Sequence, residues 1–202
     1  HNLFTHFPKD PTCEICQQAK PQRAQCRRQT SKSDDHESHS VIEPKVFADA
    51  LTADHAISDK ENKSRHGSTV ACVIVDRATG WLQSYPCQTK SIADTKHSFQ
   101  RFLGPAVTPK HVYTDGSAEF EGAMRELGFS HDTCTPHRPE TNGIAERAVQ
   151  RLREGTSCTL VQSGWNDEWW VQAMFCYCFL RNIYDKLAGG KTSWQTRFAT
   201  KF

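Results

Sequence analysis

The sequence predicts an α/β fold, a five-stranded mixed sheet flanked by helices, with a small separate module at the N-terminus. Three observations predict it. From residue 45 onward, short β-favouring runs alternate with stretches of helical periodicity. Two histidines and a Cys-x-x-Cys pair crowd the first sixteen residues. Between the two lies a polar stretch with no periodicity at all.

Residues 1–28 form the first unit. The spacing His1-x4-His6-x6-Cys13-x2-Cys16 offers two thiolates from one tight turn and two imidazoles, the donor set of a tetrahedral zinc site. Such a segment is too short to bury a core, so metal binding would supply its folding free energy. Lys9, Lys20, Arg23, Arg27 and Arg28 outnumber Asp10 and Glu14, a basic balance suited to phosphate contacts but also common on ordinary surfaces. Residues 29–44 read as a flexible polar linker, in which His36 and His39 are expected to be solvated.

The core is expected over 45–185. Val46-Phe-Ala-Asp49-Ala-Leu-Thr-Ala-Asp54-His alternates well enough for a strand that either aspartate could end, and 56–68 reads as a hydrophilic insertion. Strands over 70–76 and 81–86 are joined by Arg77-Ala-Thr-Gly80, and a helix follows over 92–103. His111-Val-Tyr-Thr is a short strand ending at Asp115, where Gly116-Ser117 turns the chain into a helix over 119–127. A fifth strand is expected over 129–134. Turn residues then run from Pro136 to Gly143, before apolar positions at Ala145, Ala148, Val149 and Leu152 mark a core-facing helix. Gly164 breaks the chain, 166–184 is an aromatic helix whose stripe suits a core or subunit interface, and 186–202 is a glycine-containing loop with a short terminal turn.

Asp115 thus stands at the carboxyl end of a strand, and Glu146 at the edge of a helical stripe. On the same flank as Glu146 fall Gln150 and Arg153, while Arg147 and Arg151 are expected to point to solvent. Carboxylates are what hard cations such as Mg²⁺ require, so a third acid is sought upstream, and both Asp49 and Asp54 qualify. A lone Asp or Glu is ordinarily a solvated surface charge; what singles these out is their place at element ends inside extended motifs.

Composition bounds the rest. A chain of 202 residues holds one domain of about 150 residues plus a small module. No apolar run approaches a membrane span and nothing at the start resembles a signal peptide. Nine cysteines, with Cys72, Cys158, Cys176 and Cys178 in apolar runs, suggest buried reduced thiols in an intracellular protein. A net charge of +2 means that any nucleic-acid affinity must come from local patches.

Two stretches carry a resemblance: Tyr113-Thr-Asp-Gly-Ser-Ala-Glu-Phe120 and Pro139-Glu-Thr-Asn-Gly-Ile-Ala-Glu-Arg147. From about Lys45 to Tyr184 the chain resembles the catalytic core of retroelement integrases, members of the ribonuclease-H-like Asp-Asp-Glu transferases. The ending Leu180-Arg-Asn-Ile … Lys191-Thr-Ser-Trp … Phe198 resembles copia-type retrotransposons. The resemblance implies a ribonuclease-H-like fold, Asp115 as second and Glu146 as third catalytic acid, and Mg²⁺ or Mn²⁺ as cofactor. It favours Asp54 as the first acid, with Asp49 the runner-up, because a small acidic motif commonly stands five residues before that acid. It implies His137, Arg138 and Asn142 as contacts to a DNA end, with Gln150 and Arg153 beside them, and it supports zinc on His1, His6, Cys13 and Cys16. Implied partners are double-stranded DNA (element ends and target), further copies of the chain, and the rest of the retroelement polyprotein, acting in the nucleus. Three departures stand out: thirty residues separate Asp115 from Glu146, fewer than in the retroviral pattern, 56–68 reads as an insertion between strands one and two, and the histidine and cysteine pairs lie closer together than usual. The alternatives are a related transposase or ribonuclease H, and a domesticated copy that binds DNA without catalysis.

Overall fold

The structure is a computed structural model that describes residues 1–20, 43–58, 62–133 and 143–202. The first helix, α1 (Glu14–Ala19), belongs to the N-terminal module. The core opens with an antiparallel meander of β1 (Leu51–Ile57), β2 (Val70–Asp76) and β3 (Leu82–Cys87). Helix α2 (Ile92–Leu103) then leads to β4 (Val112–Thr114), parallel to β1, and α3 (Ala118–Leu127) leads to β5 (His131–Thr133), parallel to β4. The sheet order is β3-β2-β1-β4-β5, a five-stranded mixed sheet. Helix α4 (Gly143–Ser163), a 3₁₀ turn (Asp167–Trp169), α5 (Trp170–Tyr184) and α6 (Ser193–Phe198) complete the chain.

Each sheet face is covered. On one side Leu51, Ala53, Cys72, Ile74 and Val112 pack against Phe99, Phe102, Phe120 and Met124 of α2 and α3. On the other, Ala71, Val73 and Val75 pack against Val149, Leu152, Val171, Met174 and Tyr177 of α4 and α5. Strand β2, buried along its whole length, is therefore a continuous apolar run, as a strand covered on both faces must be. Each such Val, Ile or Leu contributes roughly 1.5–3 kcal/mol on burial. Gly155 lets α4 and α5 approach closely, since a Cβ there would overlap the Tyr177 ring.

Asp76 ties the hairpin together: its carboxylate accepts from Thr79 N–H, Thr79 Oγ1 and the Ala48 amide. The Arg-Asn pair of α5 serves the same hairpin. Asn182 Nδ2 donates to the Leu82 carbonyl at 2.8 Å and its Oδ1 accepts the Leu82 amide at 3.1 Å, while Arg181 reaches the Gly80 carbonyl and Ser193 Oγ.

Several expectations change. Strand β1 starts at Leu51, so Asp49 precedes it and Asp54 lies mid-strand rather than at its end. Ala56 and Ile57 belong to β1, so the excursion to β2 is shorter than 56–68. Cys176 is exposed, in contrast to Cys72, Cys158 and Cys178, because it falls outside the buried stripe of α5 that holds Ala173, Met174, Tyr177 and Cys178. Arg151 does not face solvent but is half-buried under the N-terminal module. The tail contains α6, with a capping box in which Thr192 and Gln195 exchange hydrogen bonds. His137, Arg138 and Asn142 lie outside the described residues, as does most of the 29–44 linker. Among the described residues no helix is long and apolar enough to cross a membrane.

Candidate active site and candidate metal centre

Pairing of Asp54 with Val73 sets it at the middle of the antiparallel β1–β2 ladder. One carboxylate oxygen accepts the His55 amide at 2.7 Å. Burial pushes its pKa up, and the negative charges of Asp115 and Glu146 push it further; the His55 amide and the Lys90 ammonium oppose this. Asp54 therefore feels both other acids. Asp115 follows β4 directly, and its Oδ1 is buried with no hydrogen-bond partner among the described residues. Thr114 fixes the turn, its hydroxyl donating to the Asp115 carbonyl and meeting His131 Nε2, both at 2.8 Å. Phe120, fully buried, anchors the start of α3 and stacks on His55 at 4.4 Å.

Glu146 occupies the exposed first turn of α4, where the helix dipole favours a negative charge. With Asp54, His55, Gln150, Arg153 and Ala19 it lines a cleft of about 490 Å³. Gln150 donates to Glu154 at 2.9 Å and Arg153 to the Ile57 carbonyl at 2.8 Å. Asp49 stands elsewhere and is satisfied: it pairs with Lys110 at 2.6 Å and accepts the Lys45 and Val46 amides, which together pull its pKa to about 2. Asp54 and Glu146 thus share one cleft, which Asp115 does not line, while the charge of Asp115 also reaches Asp54; carboxylates are the oxygen donors that a hard divalent cation takes.

The second cluster is tighter. The ligand atoms of His1, His6, Cys13 and Cys16 all lie within 4.8 Å of one another. Among the described residues no other group of His, Cys, Asp or Glu side chains closes to that degree. Cys16 Sγ is 3.5 Å from His1 Nε2, and Cys13 Sγ is 3.5 Å from His6 Nδ1. Two sulfurs and two imidazole nitrogens suit zinc. The module is held to the core by specific contacts. Arg151 lies over the Phe7 ring at 3.6 Å and pairs with Asp185 at 2.7 Å; Thr5 Oγ1 donates to Asp185 at 2.6 Å; Phe4 stacks on Tyr184 at 4.4 Å.

This architecture matches solved structures. The simian T-cell lymphotropic virus intasome in complex with PP2A regulatory subunit B56 gamma superposes with a TM-score of 0.63, at 19% identity, over 94% of this chain and 64% of that one. The HTLV-2 integrase catalytic core domain in complex with magnesium (trimeric form) gives 0.55 at 18% identity, over 75% of this chain and 97% of that one. The fold is that of a retroviral integrase. Sequence relatives are retroelement polyproteins: the Gag-Pol polyprotein of woolly monkey sarcoma virus is 24% identical over 113 residues (53% of this chain), and the retrovirus-related Pol polyprotein from transposon RE2 of Arabidopsis thaliana 28% over 122 (54% of this chain). The matched segments span only 7% and 8% of those polyproteins. No family model matches the chain.

Reading the sequence missed several residues around these sites. His55 lines the cleft and is held neutral, burial and Lys90 depressing its pKa to about 4. Its adjacency to Asp54 was the only local signal. Lys90, Thr5 and Asp185 carry no motif, because their roles depend on contacts across the chain.

Proposed function

We propose that the chain comprises the N-terminal zinc module and catalytic core of a retroelement integrase, a polynucleotidyl transferase that trims element DNA ends and joins them to target DNA. The observation that carries this reading is the shared cleft of Asp54 and Glu146, with the charge of Asp115 also acting on Asp54, within an integrase fold. Asp54, Asp115 and Glu146 would hold Mg²⁺ or Mn²⁺, which when bound supplies Lewis-acid polarisation of the phosphodiester and the attacking oxygen. The half-buried position of Asp54 leaves its charge less screened by water than that of the exposed Glu146. Arg153 and Gln150, on the cleft wall, offer donors to a DNA phosphate; Arg153 must release the Ile57 carbonyl to do so. Attack is in line: the incoming oxygen of water in trimming, or of a DNA 3′-hydroxyl in joining, bonds to phosphorus as the bridging oxygen leaves. No protein nucleophile takes part. Double-stranded DNA, further copies of the chain and the remaining polyprotein are the proposed partners, in the nucleus where target DNA lies.

An oligonucleotide joining assay with Mg²⁺ or Mn²⁺ tests this. Asp115→Asn and Asp54→Asn should each lose joining by at least on the order of a hundredfold, while Asp49→Asn stays within a few-fold of the unsubstituted chain. Unchanged joining by Asp115→Asn refutes the site, and loss with Asp49→Asn but not Asp54→Asn transfers the first acid to Asp49. A chain that binds DNA yet never joins it is a non-catalytic copy.

A further inference from the structure

His6 is almost wholly buried and holds a left-handed backbone, φ 51°, a conformation that persists only where surrounding contacts fix it. Its Nε2 lies 3.1 Å from Oε1 of Gln162, a residue of the core near the end of α4. An amide oxygen only accepts, so Nε2 carries the proton. The lone pair is then on Nδ1, which faces Cys13 Sγ at 3.5 Å and Cys16 Sγ at 3.8 Å. His1 is arranged in the opposite sense, with Nε2 toward Cys16 Sγ and Nδ1 3.9 Å from the Asp10 carboxylate. His6 thus has one nitrogen for the cluster and a hydrogen-bonded acceptor for the other, the pattern that fixes tautomer and orientation in histidine metal sites. The carboxylate near His1 is local and stands beyond hydrogen-bond distance. For His6 the acceptor comes from the far end of α4, the helix that carries Glu146 in its first turn.

We propose that Gln162 is a positioning residue for the N-terminal metal site, so that zinc binding by the module and its docking on the catalytic core are one linked equilibrium. The inference rests on the zinc reading above. The other docking contacts converge on the same surface: Arg151 of α4 and Asp185, at the end of α5, meet Phe7 and Thr5. Ala19 of α1 lines the cleft that holds Asp54 and Glu146. Metal occupancy therefore determines whether that wall of the cleft is in place, and by linkage docking tightens zinc binding by the same factor as zinc tightens docking.

Gln162 is exposed, so its substitution should leave the core folded. The full chain is loaded with zinc, zinc affinity is read by competition with a chromogenic chelator, and backbone hydrogen exchange over 156–163 is followed with and without zinc. Gln162→Leu should weaken zinc binding by about 10–100-fold. Gln162→Glu, which keeps the acceptor, should return it to within a few-fold of the original. Zinc removal should speed exchange over 156–163. Cys13→Ser, as control, should lose the ion. Wild-type affinity in Gln162→Leu, alongside loss in Cys13→Ser, overturns the proposal and leaves the zinc site standing. Equal weakening by Leu and Glu, or exchange indifferent to zinc, also overturns it; a wild-type chain that takes up no zinc overturns both readings.

Discussion

The N-terminal quartet draws its four donors from sixteen consecutive residues, whereas the three acids come from positions 54, 115 and 146, on a strand, just past a strand end and on a helix. The quartet's segment is too short to bury a core of its own, so local turns and its docking on α4 and α5 close it, and an ion would stabilise the closed form. Asp54 and Asp115 are carried by a sheet covered on both faces and Glu146 by a helix packed on it, so the fold does not rest on an ion and instead holds like charges near one another. A metal would thus be a structural component of the quartet and a relief of electrostatic strain among the acids.

The largest effect should come from withdrawing the metal. A chelator should unfold residues 1–20, against a zinc contribution on the order of 10 kcal/mol, and leave the core's melting transition nearly where it was. Hydrogen exchange over 1–20 and calorimetry of the core measure the two arms; a module that keeps its protection without zinc erases the contrast. Next in size is Gly155→Ala. Its methyl group meets the Tyr177 ring, so α4 and α5 must separate, costing about 1–3 kcal/mol and lowering the melting temperature by on the order of 5 °C. An unchanged melting temperature would show that the helices can yield at no expense.

The smallest effect, and the one of opposite sign, is expected from Asp54→Asn in divalent-free buffer. Because the folded-state pKa of Asp54 is raised, its ionisation disfavours the fold. The favourable contribution is fully present below the unfolded carboxylate pKa and is lost as pH rises through the folded value. Asp54→Asn removes that loss, so at neutral pH the variant should melt a few degrees higher, with the difference vanishing near pH 3. A variant that melts lower at neutral pH would mean that Asp54 is stabilised by its surroundings and not strained.

What the sequence makes legible follows the range of the interactions. The β4 run stops at Asp115 because a turn follows, and the α4 stripe places Glu146 at its edge; both signals are local. The ends of β1 are set by pairing with β2 and β4, so neither aspartate could be placed on the strand from its own neighbours. Arg151 reads as a solvated cation on a helix surface because nothing nearby in sequence announces that Phe7, far upstream, covers it. Some signals were present and passed over: Thr192-Ser-Trp-Gln195 is a capping box in the chain itself, yet the glycines before it suggest a loop.

That last helix bears on where the molecule can be cut. Arg197 lies 3.7 Å from the Phe47 ring centroid and 4.6 Å from that of Trp81, and Phe198 meets Trp81 edge-on at 5.5 Å. The residues just before β1 and the turn leading into β3 are thereby covered by the last helix of the chain. A recombinant fragment ending at Asp185 would bare Phe47 and Trp81 to water as an adhesive patch; one carried through Phe198 keeps them sealed.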